Sequence, residues 1–219
     1  MKDTKTNNGK SAHHVAGYCA AVTVIIALLV IISWRFGFWR LLTFGVDCIP
    51  MAPSTAWLFF FFGIALFLFN FSPQNRAVRI FVWAVVLGTW AVGLLILFTG
   101  LFSTGPKIES WLVPATEAIN SISVGWMSPH TATVFLLISA AFMGLLVPSP
   151  ARGPAWWKSA FGLAALVIGN SIVVMLGYAV GAPFVYGTGY IPMALLTAVS
   201  FSVLGVGLMA IARPESWMF

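Results

Sequence analysis

The chain has 219 residues, 60% of them hydrophobic and 7% charged, with a formal net charge of +6. A soluble domain carries about 25% charged residues to keep its surface hydrated, so an ordinary water-soluble globule is excluded and lipid is the solvent. The basic residues are scattered between apolar runs, a pattern that positive-inside topology explains without any nucleic-acid partner.

Residues 1–14 form a polar, basic arm with Lys2, Lys5 and Lys10. The first apolar run, Val15–Ser33, has no small-residue cleavage site behind it and is long enough to span, so it is expected to be a retained helix and not a signal peptide. Five more runs follow: Ser54–Asn70, Val78–Phe102, Pro129–Val147, Trp157–Val180 and Ala194–Ala212. Each is near the ~20 residues that cross a bilayer as a helix. The expected fold is therefore an all-α integral membrane protein, with a six-helix membrane domain over residues 15–212 and a short tail over 213–219. The connection Ser103–Ser128 carries Ile108, Leu112, Ala115 and Ile119 at helical spacing. It reads either as a plain loop or as a short helix on the membrane surface, broken at Pro114.

Eight of the eleven Lys and Arg residues lie on one side: the arm, Arg76, Arg79, Arg152, Lys158 and Arg213. The other side holds Arg35, Arg40 and Lys107, offset by Asp47, Glu109 and Glu117. That bias places both termini in the cytoplasm. Trp34, Trp39, Trp111, Trp126, Trp156, Trp157 and Trp217 fall near span ends, where interfacial anchors belong.

A threefold repeat is the most informative feature. The second, fourth and sixth spans open on Met51, Met127 and Met193. Counting from each Met, Thr recurs at plus four (Thr55, Thr131, Thr197) and Phe at plus eight (Phe59, Phe135, Phe201). A small residue stands at plus twelve (Gly63, Ser139, Gly205). Steps of four trace one ridge of a helix, so each even span presents the same Met-Thr-Phe-small stripe. Proline at the first helical turn (Pro53, Pro129) costs no hydrogen bond, and Ser128 suits a cap. The stripe serves either close helix–helix packing or the lining of a ligand site. Every repeated helix starts on the same side, so the three hairpins are parallel repeats about an axis along the membrane normal, unlike inverted-repeat transporters.

Chemistry is sparse. No Asp, Glu, Lys or Arg sits well inside a span, which argues against ion-coupled carriers. Asn170, the costliest in-span side chain to bury, should bond across helices, and Tyr178 lies nearer the outer end. His13 and His14 read as solvated arm residues and His130 as an interfacial polar group. Cys19 and Cys48 are separated by tens of ångströms along the first helix and read as free thiols. There is no triad, phosphate loop or zinc spacing, so neither enzyme activity nor a metal or cofactor is expected.

The residues Met51-x-Pro53-x-Thr55-Ala56, Met127-Ser128-Pro129-x-Thr131-Ala132 and Pro192-Met193-Ala194-x-x-Thr197-Ala198 resemble the membrane-embedded N-terminal region of bacterial PAS, histidine-kinase and diguanylate-cyclase sensors. Leu176-Gly177-Tyr178, Tyr186-Gly187 and Ala212-Arg213-Pro214-Glu215 fit the same pattern. The resemblance implies three hairpins in a bacterial inner membrane. It covers residue 15 to the end and brings no phosphoacceptor helix or nucleotide-binding domain, so kinase activity does not carry over. The expected role is a non-enzymatic sensory or regulatory module working through a protein partner. A structural accessory subunit of a larger membrane complex comes second and a small-molecule transporter third.

The topology is testable in a cysteine-free background. Arg76→Cys and Arg152→Cys should label only from the cytoplasmic side, and Glu109→Cys and Glu117→Cys only from outside. Labelling of positions 76 and 109 from one side would overturn the assignment.

Overall fold

A computed structural model of the chain describes residues 2–38, 43, 49–102, 118–119, 122–123, 125–146, 154–181 and 192–212. They form six helices: α1 (Lys2–Arg35), α2 (Pro53–Phe71), α3 (Arg76–Phe102), α4 (Pro129–Leu146), α5 (Pro154–Ala179) and α6 (Leu195–Ile211). Five are long and apolar enough to cross a membrane, and α6, at 17 residues, is slightly shorter. The protein is all-α with about six spans, as its hydropathy requires. In the long connection, Ala118–Ile119 (β1) pairs antiparallel with Ile122–Ser123 (β2). Ile119 is thus extended and not helical, while Ile108, Leu112 and Ala115 lie outside the described residues, as does Cys48.

One boundary departs from expectation. α1 continues for more than three turns before Val15, through the polar arm. Its anchor there is a two-point latch to the end of α2. The Asn70 side-chain amide donates to the His13 carbonyl at 3.0 Å, and His13 Nδ1–H donates to Asn70 Oδ1 at 2.9 Å. His13 is therefore tied to α2 while remaining exposed, in keeping with the solvated side chain the sequence suggested. The second hairpin is closed at the same end by different chemistry. Arg79 of α3 donates through Nη2 to the Leu146 carbonyl at 3.0 Å, setting a cation on the C-terminus of α4, where the helix dipole favours it.

The helices close a ring. Within hairpins α1 packs on α2, α3 on α4 and α5 on α6; between hairpins α2 meets α3, α4 meets α5 and α6 returns to α1. The even helices stand inside. Half of the apolar window of α2 and 61% of that of α4 are buried, against 22–33% for α1, α3 and α5. The odd helices expose Ile25, Leu29, Ile80, Leu94, Leu166 and Leu176, which form the lipid-facing belt. The in-span hydroxyls of Thr23, Thr89, Ser171 and Ser200 turn back onto the carbonyl four residues earlier, so they need no partner elsewhere.

Small residues set how closely the hairpin partners approach. A Cβ at Gly63 would lie 2.6 Å from Val24 Cγ2 and 3.1 Å from the Ala20 carbonyl. At Gly205 it would lie 2.7 Å from Ile168 Cγ1 and 3.3 Å from the Ala164 carbonyl. Hairpins one and three thus repeat the same approach. In the middle hairpin Ser139 holds that position, its hydroxyl turned back to the Phe135 carbonyl. Gly93 of α3 there supplies the gap, where a Cβ would come within 3.1 Å of Leu136.

These distances order a substitution series. Gly63→Leu and Gly205→Leu force overpacking against backbone, typically about 1–3 kcal/mol, and should lower the melting temperature in detergent most. Gly144→Leu should cost less, because its nearest clash is the Ala160 methyl at 3.1 Å. Gly169→Leu, with open space around it, should cost least. Equal losses at all four positions would refute the packing role.

Candidate functional site

The backbone enters α2 and α6 in nearly the same way. The residues preceding them, Ala52 (φ −65°, ψ 145°) and Ala194 (φ −64°, ψ 148°), are extended, and each carbonyl accepts the first helical bond, from Ala56 at 3.0 Å and Ala198 at 3.1 Å. Two residues before each helix stands the repeated methionine, buried and tied to its own hairpin. Trp34 Nε1–H donates to the Met51 carbonyl and Tyr178 O–H donates to the Met193 carbonyl, both at 2.9 Å. Trp34 and Tyr178 are equivalent in a further respect. Three residues on, Gly37 (φ 76°) and Gly181 (φ 69°) donate back to their carbonyls at 3.4 and 3.1 Å. The positive φ explains the glycines. Sequence reading took Trp34 for a membrane anchor and missed this pairing, although the matched spacing to glycine (Trp34 to Gly37, Tyr178 to Gly181) was there to find.

One turn into each even helix the repeated threonines converge. Thr55, Thr131 and Thr197 are 2–3% exposed, and all three line a single small cavity of about 10 Å³, close to the lower limit for one ordered water. The rest of its wall comes from the same three entries: Ala52, Ser128 and Ala194 immediately before the helices, with Ile49, Pro50, Pro192, Met127 and Trp126. Among the described residues no charged side chain lines it. One further turn down, Phe59, Phe135 and Phe201, each fully buried, meet ring to ring with centroids 4.7–4.9 Å apart. Phe62 and Phe142 extend the aromatic column below. The small positions Gly63, Ser139 and Gly205 lie one turn deeper and face the odd helices or their own backbone. The stripe therefore divides by level. Its Thr positions line a cavity, its Phe positions seal the axis, and its glycines pack.

The three copies differ in how the helix starts are satisfied. Ser128 caps α4: its Oγ accepts the Thr131 N–H at 3.0 Å and lies 2.8 Å from Thr131 Oγ1. Alanine stands at the equivalent position of α2 and α6, and neither helix has a side-chain cap. Among the described residues the hydroxyls of Thr55 and Thr197 have no hydrogen-bond partner. Both lie on the cavity wall.

The remaining predicted polar residues lie apart from this site. His130 Nε2–H donates to Asn170 Oδ1 at 3.0 Å across α4 and α5, the expected interhelical bond, while the Asn170 amide nitrogen is buried without a partner. Among the described residues no three His, Cys, Asp or Glu side chains are grouped to hold a metal, and Cys19 is a free thiol. No family model, curated protein or solved structure matches the chain.

The carbonyl ties are open to direct test. Tyr178→Phe removes the donor and leaves the buried Met193 carbonyl unsatisfied, a cost of about 1–3 kcal/mol. It should lower the melting temperature clearly, whereas Tyr18→Phe, at an exposed position (71%), should leave it unchanged. No difference between the two would remove Tyr178 from the site's support.

Proposed function

We propose that this chain is a non-enzymatic sensory or regulatory module of a bacterial inner membrane, with both termini in the cytoplasm, acting through a protein partner. The observation that carries the reading is the convergence of Thr55, Thr131 and Thr197 on one cavity above the sealed Phe cluster. With the axis closed one turn below by Phe59, Phe135 and Phe201, the arrangement suits reception better than passage, which sets the transporter reading behind. The first turns of α2, α4 and α6 that line it are continuous with the packed axis. A ligand there biases the relative positions of three helices at once, the kind of differential contact a conformational signal requires.

Coupling outward has a physical route in α2. Among the described residues, large aromatic side chains exposed on a central helix occur on α2 alone: Trp57, Phe61, Phe67 and Phe71. Trp57 and Phe61 stack with centroids 6.0 Å apart. The same helix carries Thr55 at the cavity and Phe59 on the axis, so a shift at the cavity displaces the outward row. This row also suits a lateral neighbour if the chain is instead a structural accessory subunit.

A photo-crosslinking amino acid in place of Phe61, followed by purification from native membrane in mild detergent, separates these readings. A kinase, cyclase or response protein whose output changes in Thr55→Val supports the sensory role. A stoichiometric large complex indifferent to Thr55→Val supports the accessory role. Purification of the chain alone would overturn both.

A further inference from the structure

We propose that the cavity on the axis binds a small monovalent anion, a free halide or short carboxylate, held by the hydroxyls and the backbone N–H groups of Thr55 and Thr197. This takes the cavity as a binding site, as the sensory reading does, but requires no partner. Three helices begin around it, and in each both the residue preceding the helix and the third helical residue line its wall: Ala52 and Thr55, Ser128 and Thr131, Ala194 and Thr197. A helix start presents N–H groups without intrahelical partners and the positive end of the backbone dipole, so three converging starts make the cavity a place where negative charge is favoured.

The second observation is independent of the dipoles. Thr55 and Thr197 are each 98% buried by their 2% exposure, yet among the described residues their hydroxyls donate to nothing. Both are on the cavity wall, where a ligand can reach them. The contrast with α4 is informative. There Ser128 supplies the acceptor oxygen that the helix start needs, whereas α2 and α6 have alanine and no side-chain acceptor. Two of three equivalent starts therefore lack an acceptor, at the same point in space. A bound anion supplies it to both.

Size and charge narrow the class. About 10 Å³ admits one water-sized group, which fits a single ion or the end of a short carboxylate and not a phosphate ester. Among the described residues, no Lys or Arg lines the cavity to balance a dianion and no carboxylate lines it to attract a cation.

The test uses the full chain in lipid nanodiscs without partner, titrated with sodium chloride or sodium formate at constant ionic strength against sodium gluconate. The expected result is a saturable rise in melting temperature. Thr55→Val and Thr197→Val, isosteric and lacking the hydroxyl, should each weaken the apparent affinity by about tenfold or more, as for a hydrogen bond to a charged group. Thr55→Ser and Thr197→Ser should retain it. Thr133→Val should also retain it, since Thr133 is exposed on α4 and bonded to the Pro129 carbonyl. A linear, non-saturating salt effect would overturn the proposal, as would equal shifts in the Val variants or a response to decanoate alone, which would assign the site to a lipid-borne carboxylate. The wild-type titration decides even if a Val variant does not fold. Anion binding and partner capture are separate measurements, so failure of one leaves the other standing.

Discussion

The contact of Phe59, Phe135 and Phe201 on the axis is the constraint from which the rest of the structure follows. In lipid, apolar surface gains little by turning inward, so helices associate through packing and hydrogen bonds. Three aromatic rings meeting at 4.7–4.9 Å supply that packing at one point, with about 0.5–1.5 kcal/mol for each pair. A Phe at the same height on three parallel helices can satisfy all three contacts only if the even helices stand inside and present the same face. The odd helices are then placed outside, each in the groove between two even ones. The threonines one turn above are brought together because they share the ridge with the phenylalanines, whatever their own preference.

The glycines and the carbonyl ties keep that arrangement rigid at different heights. Gly63 and Gly205 let α2 and α6 lie almost backbone to backbone on α1 and α5, below the Phe level. Trp34 and Tyr178 hold the Met51 and Met193 carbonyls above it. The cavity lies at the Thr level, between these ties and the Phe cluster. Its walls belong to helices that cannot move apart without breaking packed contacts, which is the pre-organisation a binding site needs. The middle hairpin obtains closeness by another route, through Gly93 and the Arg79 bond to the end of α4. The threefold likeness thus describes the helices and not every contact.

The fold was legible because each step of it is periodic. Apolar runs near 20 residues gave the spans to within a few residues, and the four-residue steps after each Met placed Thr55, Phe59 and Gly63 on one ridge. What periodicity could not decide was the division of labour along that ridge. Packing and ligand lining stood as alternatives for the whole stripe, and the structure assigns them to different levels because the helices converge at the Phe level and leave a space at the Thr level. Pairings outside any repeat period were not legible. His13 to Asn70 joins residues 57 apart, and nothing in either local sequence names the other. The Trp34 tie was not legible for a subtler reason: a tryptophan at a span end already has a sufficient explanation in the membrane interface, and that explanation does not point to Met51.

The departures from symmetry locate the chemistry more narrowly than the symmetry does. Each even helix runs antiparallel to the odd helices beside it, so opposite dipole ends neutralise one another around the periphery. On the axis only helix starts are present, and this cancellation is lost there. A purely structural solution would place a capping side chain at all three starts, since a cap is worth typically about 1 kcal/mol. Serine occurs at one, Ser128, and alanine at the other two, Ala52 and Ala194. The two starts without caps are also the two whose threonines have no hydrogen-bond partner among the described residues. The Thr55 and Thr197 hydroxyls are left open on the same helices that lack a capping side chain, at the wall of the same small space. Helix packing alone gives no reason for that coincidence. A site that waits for an acceptor from outside accounts for both halves of it.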